Sequence, residues 1–179
     1  MKAGKIWYFD EPGSESTESV IQIVSEKISE TGIKTVVIAS SSGKTAIQFA
    51  KVLKGKVKLI AVSWKKILPE DISELNKLGV TICNFENYLP LQEKGLAKMA
   101  FYTFGQGMKV CVEVVLIAVD KNIITSGQEV IAVAGTGSGS DSAGIIKATS
   151  TADMFGPDID KRLEIREILA MPTKKKWWN

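Results

Sequence analysis

The sequence predicts an α/β protein, a three-layer α/β/α sandwich around a mostly parallel sheet. Three observations point there. Apolar runs without polar alternation, such as Val36-Val37-Ile38-Ala39, read as strands covered on both faces. Segments with apolar residues at helical spacing alternate with those runs along the chain. Glycines stand where helical segments must stop, at Gly32, Gly55 and Gly79. With 179 residues, the chain fits one domain over 1–179 with room for a substantial core.

The elements follow in order. Lys5–Phe9 reads as a short strand, and Glu11-Pro12-Gly13 as a turn. Ser14, Ser16 and Thr17 are candidate caps for a helix whose face is Val20, Ile21, Val24 and Ile28. After the Val36–Ala39 strand, Ala46, Ile47, Ala50 and Leu53 mark a second helix. Lys58–Trp64 is the next buried strand. Pro69 then opens a helix through Ile72, Leu75 and Leu78, and "VTIC" follows as a strand. Residues 84–95 are less regular. Leu96–Phe104 reads helical, Gly105-Gln106-Gly107 interrupts it, and Met108–Asn122 is a long apolar helix. Glu129–Ala134 is a buried strand, joined through a Gly/Ser loop to a strand at "GIIKA". Ser150–Asp160 reads as a surface connection, Glu167–Ala170 as an edge strand, and residues 173–179 as a flexible tail.

Composition narrows the chemistry. The chain has no histidine, which removes Ser-His-Asp, Cys-His and histidine-metal mechanisms. Cys83 and Cys111 lack metal spacing and read as buried thiols in a reducing compartment, and no metal site is expected. A net charge of +3 does not argue for nucleic acid. Val110–Val119, the longest apolar stretch, is too short to span a bilayer and contains Glu113. No secretory pattern opens the sequence, so a cytoplasmic location is expected. The ending "KKKWWN" joins cations to aromatics, and the expectation there is a frayed tail or a subunit contact in a homo-oligomer.

Ligands of open α/β sheets gather outside the carboxyl ends of the strands, here the loops after Ala39, Val62 and Ala134. The first of these, Ser40-Ser41-Ser42-Gly43-Lys44-Thr45, is not a Walker loop, because Ile38 stands where its first glycine belongs. It still combines hydroxyls, a glycine, a lysine and a helix start, the ingredients of a smaller phosphate site. The same residue types also serve as plain helix caps. The "GTGSGSDS" loop lacks the third glycine of a dinucleotide fingerprint at Ser140 and leads into a strand, so it reads as a hairpin or a ligand contact through Asp141 and Ser142. Glu113 must find a cation or face a polar cavity, and with Asp141 it is a weak candidate for acid/base work.

"TVVIASSSGKTAIQFAKVLKGKVKLIAVSW" and "SGQEVIAVAGTGSGSDSAGIIKA" resemble the carboxy-terminal α/β domain of pyruvate kinase, in which the first loop holds a phosphate of an allosteric sugar bisphosphate. With "YFDEPGSEST", "GMKVCVEVVLIAVD" and "EILAMP", the chain is similar to stand-alone archaeal and bacterial proteins built on that domain. Some of these are associated with flavin mononucleotide. The chain departs from them in "SWKKILPED" and "NFENYLPLQEKG", which lack the family's histidines, and nothing in it resembles the catalytic barrel of the kinase. The resemblance implies binding of a phosphorylated small molecule, FMN foremost. Ser40, Ser41, Ser42, Gly43, Lys44 and Thr45 would hold the phosphate. Ser63, Gln106, Gly107, Gly135, Thr136, Gly137, Asp141 and Ser142 would flank the remainder, with Trp64 available to stack on a ring. The alternatives are a non-enzymatic sugar-phosphate sensor and a flavoenzyme using a carboxylate.

Overall fold

A computed structural model describes residues 4–85, 90–91 and 95–177. Its core is one seven-stranded sheet in the order β1-β7-β6-β5-β2-β3-β4. The strands are β1 (Trp7–Phe9), β2 (Thr35–Ala39), β3 (Lys58–Ser63), β4 (Thr81–Asn84), β5 (Glu129–Ala134), β6 (Ser142–Lys147) and β7 (Glu164–Pro172). Only β6 is antiparallel to its neighbours, β5 and β7; the other pairings are parallel. The expected mostly parallel sheet is therefore present.

The sandwich has its two outer layers. Helices α1 (Thr17–Thr31), α2 (Lys44–Leu53) and α3 (Pro69–Lys77) cover one face, packing Val24, Phe49, Leu53 and Leu75 with Val36, Ile38 and Ile131. The helices α4 (Gly95–Tyr102), α5 (Gln106–Asp120) and α6 (Thr151–Met154) lie on the other, where Met108, Val112, Val115 and Leu116 meet Val37, Ile60 and Ala132. Successive residues of β2 thus feed opposite cores, which is why its sequence shows no alternation. Among the described residues no helix is long and apolar enough to cross a membrane.

Two expectations change. The strand expected at the edge, β7, has β1 beyond it only at its end: Trp7–Phe9 pair with Ala170–Pro172, while among the described residues Glu164–Leu169 pair with β6 alone. Along that open stretch Lys27 and Lys147 form ion pairs with Glu167 and Glu164. The connection after Ser150 contains a short helix, with the Ser150 hydroxyl capping Asp153 N–H at 3.0 Å. Most of the irregular segment, 86–89 and 92–94, lies outside the described residues.

The start of α5 presses on the hairpin. A Cβ on Gly107 would come within 2.5 Å of Asp141 Oδ1 and 2.8 Å of Ser142 Cβ. Helix propensity alone favours Gly→Ala by roughly 1 kcal/mol, but overpacking costs about 1–3 kcal/mol. Gly107→Ala should therefore lower the urea midpoint, whereas a raised midpoint would show that this contact yields freely.

Candidate functional site

With β6 as the exception, every strand directs its carboxyl end to the same edge of the sheet, so the connections after β1, β2, β3, β5 and β7 converge there. The chain runs outward from β2 through β3 to β4, then returns to place β5 on β2's other side. The β2–β5 boundary is consequently the topological switch point, where a crevice opens in such sheets. Ile38 pairs with Val133 just before both strands end, so the serine loop and the glycine loop leave the sheet side by side.

In the serine loop, Gly43 takes a left-handed φ of 86° immediately before α2. A Cβ there would meet Leu75 at 3.0 Å and Ile67 at 3.2 Å, so both backbone angle and space call for glycine. The sharp turn leaves the Lys44 and Thr45 N–H groups at the helix start without a hydrogen bond among the described residues. Ser42 and Lys44 are exposed, and Ser41 and Thr45 are half-buried. This part of the loop can receive an anion from solvent.

Two expected ligand residues brace the loop instead. Ser40 is buried and its Oγ accepts the Ala46 N–H at 3.1 Å, so it caps α2. Ser63 is fully buried. Its hydroxyl faces the Ser41 carbonyl at 2.9 Å and the Lys65 carbonyl at 2.6 Å, and it accepts the Lys65 N–H at 3.2 Å. Both hydroxyls are therefore engaged within the protein. Trp64, next along, stands 56% exposed with Lys65 Nζ 4.3 Å from its ring centroid, so it is not a core residue.

The glycine loop is locked from beneath by Asp141. This fully buried carboxylate accepts the Thr136 N–H at 3.0 Å and the Gly13 N–H at 2.9 Å on Oδ2, and the Ser142 hydroxyl at 2.8 Å on Oδ1. A second tie joins the Ser140 N–H to Thr17 Oγ1 at 3.0 Å, while Thr17 donates to the Ser14 carbonyl at 2.6 Å. Gly139, at φ 65°, sits so close that a Cβ would fall 2.6 Å from Ser14 Cα. Gly135 has the same constraint, 2.5 Å from the Gly139 carbonyl oxygen. The tip, Gly137 and Ser138, stays exposed. Asp141 and Ser142 thus shape this loop, and neither is open to a reactant.

Gln106 is tied to the chain's end, and Gly107 packs against Asp141 and Ser142. The Gln106 N–H donates to the Lys176 carbonyl at 3.3 Å, and Trp177 Nε1 donates to the Tyr102 carbonyl at 2.6 Å. The tail expected to be flexible carries these bonds as far as Trp177. Lys175 lies near Asp141, and burial lowers its pKa despite that carboxylate. Trp178 and Asn179 lie outside the described residues.

Glu113 is paired inside α5 with Lys109 Nζ at 2.8 Å, both side chains being almost wholly buried. Burial raises the Glu113 pKa, and Lys109, with a smaller contribution from Lys98, pulls it back down. This is the cation that the sequence required. Cys83 and Cys111 are buried free thiols, and burial pushes both thiol pKa values up. Spacing did not reveal Thr17 and Gly13 as partners of the glycine loop, because they lie more than a hundred residues away from it in sequence.

The sandwich, the switch point and the paired serine and glycine loops agree with one comparison. The family described as pyruvate kinase, alpha/beta domain matches residues 18–148, from the first turn of α1 to the end of β6. That span is well over half of the chain, and the chain belongs to the pyruvate kinase alpha/beta domain family.

Proposed function

We propose that the protein binds a phosphorylated small molecule, FMN foremost, with the phosphate at the serine loop. The observation that carries the reading is the unengaged pair of amides, Lys44 and Thr45, at the head of α2. Around them stand the Ser41, Ser42 and Thr45 hydroxyls and the exposed Lys44 ammonium. One helix-end contact contributes only about 0.3–1 kcal/mol at an exposed site, so affinity requires these groups to act together. Ser40 and Ser63 hold the loop rather than the ligand, and the exposed Trp64 offers a face for a flavin ring. No acid/base step is assigned to Asp141 or Glu113, since both carboxylates are engaged in buried structural contacts.

Fluorescence titration tests this. FMN emission should be quenched saturably by the protein, riboflavin emission far less, and Lys44→Glu should weaken FMN binding by about tenfold or more, equivalent to roughly 1.4 kcal/mol. Because Lys44 is exposed, the unliganded variant should melt within about 0.5 kcal/mol of the parent. Equal affinity for FMN and riboflavin would remove the phosphate from the reading. Stabilisation by a sugar bisphosphate without FMN quenching would keep the anion site and make the protein a sugar-phosphate binder instead.

A further inference from the structure

On the other side of the glycine loop lies a hollow of about 600 Å³, between the β1–α1 connection and Ser138. That volume is within the range of about 300–1,000 Å³ typical of small-molecule sites. Its back wall is fixed by the Gly13–Asp141 and Thr17–Ser140 hydrogen bonds and by the close approach of Gly139 to Ser14. The wall is therefore a built surface rather than two loops that happen to be near each other.

One side chain in it lacks a partner. Ser16 occupies the N-cap position of α1 yet makes no capping hydrogen bond, is only 9% exposed, and lines the hollow. No other hydrogen bond engages its hydroxyl among the described residues. Its oxygen keeps some contact with solvent, so the hydroxyl is available to a group placed in the hollow.

Charge decides what that group is. The helix start contributes about half a positive charge. Against it stand the carboxylates of Asp10, Glu11 and Glu15; Lys174 pairs with Glu11 and lies within electrostatic reach of Asp10. The carboxylates outweigh the helix end, so the hollow disfavours anions, the reverse of the serine loop. It presents hydrogen-bond acceptors, serine hydroxyls and the Tyr8 ring, which is 56% exposed. Acceptors read hydroxyl donors, and an aromatic face covers the C–H side of a sugar ring. We propose that this hollow is a second ligand site, selective for a neutral polyhydroxylated molecule such as a sugar ring or alditol.

Amide NMR of the full chain with D-ribose, D-glucose and ribitol tests it. At least one of these should move the resonances of residues 13–16 and 138 saturably. Ser16→Ala should weaken that response about three- to tenfold, the loss of one hydrogen bond. Asp10→Ala, at an exposed position, should weaken it as well and serves if Ser16→Ala fails to fold. The proposal is overturned if none of the three sugars shifts those resonances, or if ribose 5-phosphate binds there more tightly than ribose. Spermidine taking the place of the sugars, or unchanged binding in both variants, would overturn it too.

Discussion

Asp141→Ala is expected to destabilise the protein by about 3–5 kcal/mol, while Asp141→Asn should cost only about 1 kcal/mol. The alanine change strands two buried N–H groups, those of Gly13 and Thr136, and leaves the Ser142 hydroxyl without its acceptor. Each orphaned buried donor costs about 1–3 kcal/mol. Asparagine can keep its carbonyl oxygen on the two amides and turn its NH₂ toward Ser142, whose hydroxyl rotates to accept. Urea denaturation of both variants reads the difference. Equal and large losses would mean that the negative charge, rather than the count of acceptors, holds the glycine loop. Negligible losses in both would mean that Asp141 is not the lock.

Glu113→Leu is the second large effect, at about 3–5 kcal/mol, because it leaves Lys109 buried without a counter-charge. The ammonium would keep its place over the Tyr102 ring, 5.4 Å from the centroid, a contact too weak to replace a carboxylate. Lys109→Met should cost a similar amount. The double variant, apolar at both positions, should recover to within about 1–2 kcal/mol of the parent, since a buried pair often does no better than hydrophobic residues of like volume. Additive losses in the double variant would break this account of the pair.

The same site sets a pH dependence. Burial raises the folded-state pKa of Glu113 above its ordinary value of 4.5, against the pull of Lys109 and Lys98. The folded chain therefore holds this proton more tightly than the unfolded chain. The contribution to stability is present below 4.5 and is lost as pH rises through the folded pKa. Glu113→Gln should remove that part of the slope, leaving a flatter stability profile on the acid side of neutrality than the parent shows.

Much of the fold was legible because burial on both faces writes itself into sequence. The runs at Val36–Ala39, Lys58–Ser63 and Glu129–Ala134 could only be central strands, and the helical spacing between them fixed the layers. The β7 strand was legible as an edge over Glu167–Leu169, but its pairing with β1 at Ala170–Pro172 was not, because that partner comes from the other end of the chain. In the site, the loop at Ser40–Thr45 was legible as a place but not hydroxyl by hydroxyl. Serine before a helix has the same spacing whether it binds an anion or caps the helix, and Ser40 caps. Ser63 turned inward to Lys65, two positions on, and to Ser41 beside the neighbouring strand, and the second contact is one that no local pattern encodes. Asp141 stood out in the sequence, yet its partner Gly13 is separated from it by 128 positions.

Amide NMR of the full chain titrated with FMN and, separately, with riboflavin tests the anion site most directly. Phosphate capture at the head of α2 predicts that FMN, and not riboflavin, moves the Ser42, Lys44 and Thr45 resonances to saturation. If FMN, inorganic phosphate and sugar bisphosphates all leave those three amides where they are, no phosphoryl group is held at the serine loop.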